Sequence, residues 1–235
     1  DVPEERQARR EVVHVQPAVD PPPSIPRSIS RVVDVEVGVL VEAEADEAHR
    51  LGSGGLAFGD RVALDQVTVR SNGDTLVVSS GPLAWAGRKG TALPTVRVSA
   101  RTLRGVVLNG GAKVRVAEMR GPRVELLQTG AGSLEVAAIR ADDLTASLTG
   151  TGAMRLTGTS GRTKIRNYGA GSIDASGLTA GDASLTSESS GDIRINVRFT
   201  ARATALGSGG ISISGRPECT LRGSGPITCS GTIRR

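Results

Sequence analysis

The residues of this sequence that could do chemistry are few, and they lie far apart along the chain. Calcium-assisted cleavage of an acidic polysaccharide would need clustered aspartates beside a basic residue. The candidate carboxylates are Asp74, Asp142, Asp143, Asp174 and Asp192. Only two of them are adjacent, and a turn explains that pair. The sequence therefore predicts no site of this kind.

The histidines and the glycine-rich phrases do not indicate a site either. His14 and His49 are isolated, with no cysteine or carboxylate at the spacing of metal ligands. Both precede the repeats described below, so no Ser-His-Asp arrangement is arguable. The Gly-x-Gly phrases resemble phosphate-binding loops, but they recur and lead into strands rather than helices. We predict a non-enzymatic chain with no catalytic residue, no metal and no cofactor.

A short turn-and-strand phrase organises the carboxy-terminal half instead. It reads Gly-Ala-Gly-Ser-Leu-Glu-Val at residues 130–136 and returns with small changes to the end of the chain. The second glycines of its copies are Gly132, Gly152, Gly171, Gly191, Gly209 and Gly225. Steps of 16 to 20 residues between them are the signature of a solenoid, whose repeats bury their apolar faces against one another.

We use these second glycines as marks from which positions are counted. Apolar residues stand at the second and fourth positions after each mark, and this alternation predicts strands. Reduced to that pattern, the series extends back to marks at Gly54, Asp74, Pro94 and Ala112. The inward pairs are Leu56/Phe58, Leu76/Val78, Val96/Val98, Val114/Val116, Leu134/Val136, Met154/Leu156, Ile173/Ala175, Ile193/Ile195, Ile211/Ile213 and Ile227/Cys229. A second inward file lies six residues before the marks, at Val106, Leu126, Ala146, Ile165, Leu185, Ala203 and Cys219. We predict an all-β parallel β-helix, a solenoid of about nine or ten coils.

The outward position between each inward pair carries charge along most of the series. It reads Arg97, Arg115, Glu135, Arg155, Asp174, Arg194, Ser212 and Thr228. From the second to the sixth of these the sign alternates, so parallel stacking at about 4.8 Å places each charge between opposite charges. We interpret this as a solvated, self-paired face. A charged binding stripe is the alternative, and the alternation weakens it.

Several of these phrases resemble the bacterial head GIN domain proteins, often labelled putative autotransporter adhesins. The likeness is carried by Ser189-Ser190-Gly191-Asp192-Ile193, by residues 206–217 and by the ending Gly223-Ser224-Gly225-Pro226-Ile227, and it covers about residues 60–233. It implies a right-handed β-helix and an envelope or surface protein without an assigned activity. No functional residues are defined for that family. The chain departs from it in having fewer acidic residues after the glycines and a long amino-terminal extension.

The amino-terminal region differs from the rest in charge. Residues 1–50 hold six basic and eleven acidic residues, a net charge of −5, whereas residues 51–235 have a net charge of +10. We divide the chain into an extended, proline-rich arm at 1–32, an alternating strand region at 33–50, and the β-helix at 51–235. The arm either contacts another copy of the protein or docks on its own rod.

Two candidate contact regions follow from this division. The strand region alternates, with Val35, Val37, Val39 and Val41 on one side; it either covers an edge of its own solenoid or is offered to a neighbour. A loop between Ser79 and Gly90 carries Trp85 beside Arg88 and Lys89, which could touch an acidic sugar. A packed loop anchor is the plainer interpretation of that tryptophan.

The cysteines, Cys219 and Cys229, both fall at inward positions of the last coil and enclose a short loop. We predict a disulfide that stabilises this end of the solenoid and requires an oxidising compartment; two buried free thiols are the alternative. No apolar run approaches 18 residues, so we predict no transmembrane segment. The chain opens on Asp1 without a signal peptide, which suggests a processed chain, and we expect a periplasmic, outer-surface or extracellular location.

Three classes of function remain. The first is a non-enzymatic cell-envelope or surface scaffold, adhesive or structural, that self-assembles through its arm. The second is binding, less readily cleavage, of an anionic surface polysaccharide or lipopolysaccharide, favoured by the basic solenoid. Nucleic-acid binding is suggested by a sequence pI near 10.0, but an aromatic content of 2% and the alternating charges oppose it.

Overall fold

The computed structural model describes residues 12–17, 32–37, 49–51, 55–58, 67–72, 75–80, 95–100 and 103–234, with side chains at Val77, Val78 and residues 103–234. These residues form strands joined by turns, without a helix. The strands are β1 Val12–Pro17, β2 Val32–Val37, β3 His49–Leu51, β4 Gly55–Phe58, β5 Val67–Asn72, β6 Thr75–Ser80, β7 Thr95–Ala100, β8 Gly105–Asn109, β9 Lys113–Val116, β10 Met119–Gly130, β11 Ser133–Gly150, β12 Ala153–Gly169, β13 Ser172–Ser189, β14 Ile193–Ala205, β15 Ile211–Gly215, β16 Glu218–Gly223, β17 Ile227–Cys229 and β18 Thr232–Arg234.

From β8 onward the strands stack in parallel, which confirms the predicted solenoid. One side of the solenoid is formed by β9, the beginnings of β11, β12, β13 and β14, then β15 and β17. Another side is formed by β8, the ends of β10 to β14, then β16 and β18. The solenoid has about six turns, fewer than the nine or ten predicted.

The strands β11 to β14 each cover three sides of a coil. In β11 every second residue is buried from Leu134 to Val136, and the alternation breaks at the next two alanines before resuming at Ile139. It breaks again before Leu144 and then continues to Leu148. Because alternation with period 2 is the geometry of one flat strand, each break marks a corner. We call the three segments of a coil its first, second and third sides.

The core is the stack of aliphatic side chains inside these sides. The predicted inward pairs from Val114/Val116 to Ile211/Ile213 are all at most 2% exposed, which confirms them. The second file is also buried, Cys219 included, but Cys219 does not align with the other members of the file. Ala203 aligns with Leu221, whereas Cys219 aligns with Ala201. The reason is that the final turn between the third and first sides is shorter than its predecessors, so counting six residues back from Gly225 reaches the preceding inward position.

Most pairings of the amino-terminal strands are antiparallel, and this accounts for the missing coils. Strand β2 lies between β7 and β9 and runs antiparallel to both. Strand β1 lies between β6 and β8, parallel to both. The other pairings, β3 with β4, β4 with β7 and β5 with β6, are antiparallel. The marks at Gly54, Asp74 and Pro94 therefore do not form the successive parallel coils that the periodicity predicted, because the intervening places are taken by strands from the amino-terminal region.

Glycine is required where successive turns meet at close range. Gly130 and Gly150 have φ of 111° and 118°, a conformation that residues with a side chain rarely adopt. Two of the turns, those at Gly132 and Gly171, are also supported by a buried amide side chain. The Nε2 of Gln128 donates to the carbonyl of Gly132, and the Nδ2 of Asn167 donates to the carbonyl of Gly171 at 2.7 Å. The sequence analysis did not identify these two inward positions, which are fully buried.

Candidate functional site

The outward charges of the first side form the ladder that the sequence predicted. Arg115, Glu135, Arg155, Asp174 and Arg194 are successive partners in the parallel register. The Nε of Arg115 lies 3.2 Å from an oxygen of Glu135, and Arg155 lies 3.7 Å from Asp174. These side chains are all more than a third exposed. Such pairs contribute about 0.2–1 kcal/mol each, so the ladder helps to set register more than stability.

Strand β2 supplies the ladder's missing member. Sequence order places Arg97 next to Arg115, two like charges in succession. In the structure Glu36 of β2 is the register partner of both. The sign therefore alternates without a break from Arg97 to Arg194. Because opposite charges on neighbouring strands attract, an acidic strand is favoured at this place between two arginines.

Asp174 has the most elaborate environment on this side. The hydroxyl and the backbone N–H of Ser176 both donate to its Oδ1, at 2.6 and 3.2 Å. The hydrogen bond from the hydroxyl, together with the charges of Arg155 and Arg194, lowers the pKa of Asp174 below its ordinary value. Partial burial opposes this shift. The carboxylate is therefore held ionised by its neighbours, as expected for a structural ion pair.

A second charge ladder opens the third side, and the sequence analysis did not find it. Arg123, Asp143, Arg162 and Asp182 are successive register partners of alternating sign. The guanidinium of Arg162 donates to both oxygens of Asp143, at 2.7 and 2.9 Å. This hydrogen-bonded contact raises the pKa of Arg162. The signal was available, because these residues recur at the same 20-, 19- and 20-residue steps as the marks.

Beyond this ladder the third side carries unpaired cations among short hydroxyl side chains. Lys164, Ser184, Arg202 and Thr220 are successive register partners, and so are Arg166, Thr186, Thr204 and Arg222 one outward position along. The four cations are exposed. Among residues 103–234, none of the four takes part in an ion pair. We call Lys164, Arg166, Arg202, Arg222 and the hydroxyl residues between them the basic face.

A bulge borders the basic face at the corner between the second and third sides. The register of β14 on β13 shifts between Ala180 and Asp182, which leaves Arg198 and Phe199 unpaired opposite Gly181. The ring of Phe199 is 59% exposed, and the guanidinium of Arg198 lies 5.2 Å from its centroid. Bulges of this kind redirect a side chain outward. The phenylalanine is one of the few large apolar side chains exposed within residues 103–234.

The structure places only part of the predicted contact set. Val35 and Val37 lie in β2 and are register partners of valines in β7 and β9. The remaining predicted contacts lie outside the described residues: Val39, Val41, Trp85, Arg88 and Lys89. The proposal that these residues contact a partner stays a prediction.

The cysteines are joined. Cys219 and Cys229 form a disulfide between β16 and β17, with their Cα atoms 6.7 Å apart. The sulfur of Cys229 also accepts the backbone N–H of Gly231 at 3.3 Å. The link therefore ties the third side of one coil to the first side of the next, which is the last coil, rather than two positions of the same coil.

Within the described residues, no group of three or more His, Cys, Asp or Glu side chains could hold a metal ion. The part of the chain that the structure describes contains no helix able to span a membrane.

Comparison with known proteins agrees with this architecture. No curated protein matches the sequence. Among solved structures, a "putative adhesin" of Bacteroides fragilis is similar, with a TM-score of 0.65 and 18% identity over 96% of this chain and 88% of that one. A "putative adhesin" of Parabacteroides merdae has a TM-score of 0.55 and 15% identity, covering 96% and 90% of the two chains. A "Putative lipid binding protein" of Parabacteroides distasonis has a TM-score of 0.53 and 16% identity, covering 96% and 92%.

At these identities the solved structures establish the fold alone. The sequence itself supplies the relationship. A family model described as "Putative auto-transporter adhesin, head GIN domain" matches residues 57–217. This span takes in most of the regular coils, the second charge ladder, the first ladder except Glu36, and the basic face except Thr220 and Arg222. The resemblance inferred from the glycine phrases is thereby confirmed, and the chain belongs to the head GIN domain family.

Proposed function

We propose that this chain is a non-enzymatic envelope protein whose solenoid is a rigid scaffold for adhesion. The observation that carries the proposal is that carboxylates in both ladders are engaged in pairing with arginines. On the first side and at the opening of the third, carboxylates face arginines one rung away, and the carboxylate with a resolved pKa shift is held ionised rather than poised for proton transfer. A general acid or base needs a pKa near the working pH. Family membership and the disulfide indicate an exported protein.

The test compares binding with cleavage. Purified chain with its disulfide intact is incubated with a panel of surface polysaccharides, and bound polymer and new chain ends are both measured. We expect retention of polymer by immobilised protein without a change in polymer length. Depolymerisation that persists through purification, at a rate proportional to protein concentration, would contradict a non-enzymatic role.

An anionic polysaccharide is the second candidate function, as the ligand to which such a scaffold adheres. The net charge of +10 on residues 51–235 supports it, because exposed cations attract polyanions. The basic face supports it more directly, since its cations have no carboxylate partners among residues 103–234. Binding without cleavage is the form of this candidate that the distribution of carboxylates favours.

Self-association through the amino-terminal region belongs to the same proposal. Strands β1 and β2 each pair on both edges with strands far from them in sequence. The segments 18–31 and 38–48 connect them to the rest of the chain. A strand held by backbone pairing can be donated by another copy at little cost, which is the basis of domain swapping.

Cross-linking distinguishes the two sources of β2. Glu36 and Arg115 are register partners, and Arg115 is exposed, so cysteines at both positions fit a disulfide. Under non-reducing denaturing conditions, Glu36→Cys with Arg115→Cys should give covalent dimers or longer chains if β2 is exchanged. A covalently closed monomer at every concentration would end the assembly proposal. Glu36→Cys alone is the control for random oxidation.

A further inference from the structure

We infer that the basic face is the docking surface for an extended anionic polysaccharide, lying across the rungs of the third side. The inference rests on the proposed adhesive function and assigns it a site. The first observation is the concentration of unpaired cations. The ladder arginines of the first side face carboxylates, but Lys164, Arg166, Arg202 and Arg222 face Ser184, Thr186, Thr204 and Thr220.

The second observation is the spacing along the solenoid. Lys164 and Arg202 are two rungs apart with Ser184 between them, which is about 9.6 Å for parallel strands. Arg166 and Arg222 are three rungs apart, about 14 Å. The cations therefore form two rows that run along the solenoid axis. A polymer with charges at regular intervals matches rows of this kind, whereas a single small anion would contact one cation only.

The acidic groups near the face leave it open. Asp182 accepts a hydrogen bond from the hydroxyl of Thr200 at 2.6 Å, and Glu218 pairs with Arg234. Glu188 lies at the far end of β13, beside the turn. Along the solenoid axis, Glu125 occupies the same outward position as Lys164 but lies two rungs before it. The basic face thus begins at β12 and continues to β16.

The chemistry of the intervening residues favours a polysaccharide over other polyanions. Serine and threonine hydroxyls both donate and accept hydrogen bonds, which suits the hydroxyl and carboxylate groups of an acidic sugar. Single-stranded nucleic acids are held by rows of aromatic side chains, which these rows lack. A membrane-binding face presents apolar residues between its cations, whereas this one presents hydroxyls.

The bulge at Phe199 adds an apolar contact at the border of the face. Arg202 is three residue steps along the extended chain from Phe199, about 10 Å. A Cβ at Gly181 would lie 3.6 Å from the phenylalanine ring, so the ring rests beside a position without a side chain. The exposed ring offers a flat apolar surface on which the apolar face of a sugar can pack. The cations and the ring should therefore contribute in different ways, one sensitive to salt and the other not.

The experiment measures binding of the full chain to heparin and polygalacturonate by titration at several salt concentrations. Three probes serve as comparisons: neutral dextran, double-stranded DNA and phosphatidylglycerol vesicles. The face variant combines Lys164→Gln, Arg166→Gln, Arg202→Gln and Arg222→Gln. The matched control removes the same charge from the ladders through Arg115→Gln, Arg155→Gln, Arg162→Gln and Arg194→Gln. A third variant is Phe199→Ser.

We expect the face variant to lose at least tenfold in affinity for both acidic polysaccharides and to show a shallower salt dependence. The control should lose no more than threefold. Phe199→Ser should weaken binding by a similar factor at every salt concentration. Equal losses in face variant and control would overturn the inference, because attraction would then follow net charge. Tighter binding to DNA or to vesicles than to either acidic polysaccharide, or no binding of the unaltered chain, would also overturn it.

The same measurements separate this inference from the proposed function. A chain that retains other polysaccharides of the surface panel but neither acidic probe keeps its adhesive role and loses this site. Loss of acidic polysaccharide binding in the face variant alone, together with cleavage of the polymer by the unaltered chain, would uphold the site and contradict the non-enzymatic role.

Discussion

Replacing Gly171 by alanine should destabilise the solenoid although the change adds only one methyl group. A Cβ at this position would lie 2.5 Å from the carbonyl oxygen of Gly152 and 2.8 Å from a methyl of Leu148. Ordinary contact begins near 3.4 Å, so the two turns must separate. The N–H of Gly171 donates to Gly150 at 2.8 Å, and the N–H of Ser172 donates to Gly152 at 3.2 Å. Separation weakens both hydrogen bonds.

The expected magnitude follows from these contacts. Each weakened hydrogen bond costs about 0.5–1.5 kcal/mol, and overpacking a close-packed site costs about 1–3 kcal/mol. Alanine returns about 0.4–1 kcal/mol by restricting the unfolded chain. The free energy of unfolding should therefore fall by about 2–4 kcal/mol.

Gly111 provides the matched control. It occupies a turn of the same stack, but a Cβ there meets nothing within 4 Å, and its φ is not among the positive values. Gly111→Ala should leave stability unchanged or raise it by up to about 1 kcal/mol. Urea unfolding followed by circular dichroism, with the disulfide intact, measures both. Equal stability of Gly171→Ala and the unaltered chain would refute the description of the turns as a close-packed stack.

Other substitutions and conditions test the core, the link and the ladder. Ile193→Asp should prevent folding, because an unpaired charge would enter a fully buried file, whereas Arg194→Asp on the exposed side should cost about 1 kcal/mol or less in urea unfolding. Reducing the bond between Cys219 and Cys229 should cost about 2–3 kcal/mol, given the short loop it closes; two free thiols in the denatured, unreduced chain would contradict the link. Asp174→Asn should destabilise the chain at neutral pH by at most about 1 kcal/mol, since the side chain is exposed and screened. Because the folded pKa of Asp174 is lowered, this difference should be present above pH 4 and disappear as the pH falls through the folded value; a difference that does not change on acidification would rule out the ion pair as its source.

The periodic part of the fold was predictable because one rule acts on every coil. An inward residue such as Ile193 must be apolar in each repeat, so its position can be read from spacing alone. At Cys219 the rule gave a buried residue but the wrong partner in the neighbouring coil, because a shortened turn changed the spacing. It also failed before Ala112, where the same alternation is equally compatible with parallel and antiparallel neighbours. Alternation reports which residues face inward, and it carries no information about which strand lies alongside.

The candidate site was less predictable because it depends on register between coils. The first ladder could be inferred from Arg115 and Glu135, which occupy the position between two inward residues. Nothing local to Glu36 indicates that it lies between two arginines from later in the chain. The basic face required knowing that Lys164 and Arg202 are two rungs apart on one side, which is a property of the stacked structure. Phe199 is exposed because it lies in a bulge. The bulge interrupts the alternation on which the prediction of inward and outward residues depends.

The place of β2 between β7 and β9 has a consequence for the order in which the chain assembles. The strand is synthesised before both of its neighbours, so its place between them does not exist until β9 has been made. Contacts between such distant segments form late, because the chain must first lose the conformational entropy of closing a long loop. The coils from β10 to β16, whose neighbours are adjacent in sequence, can form beforehand. The amino-terminal region is then the final piece to be inserted, and its acidic strand enters beside arginines that are already in position.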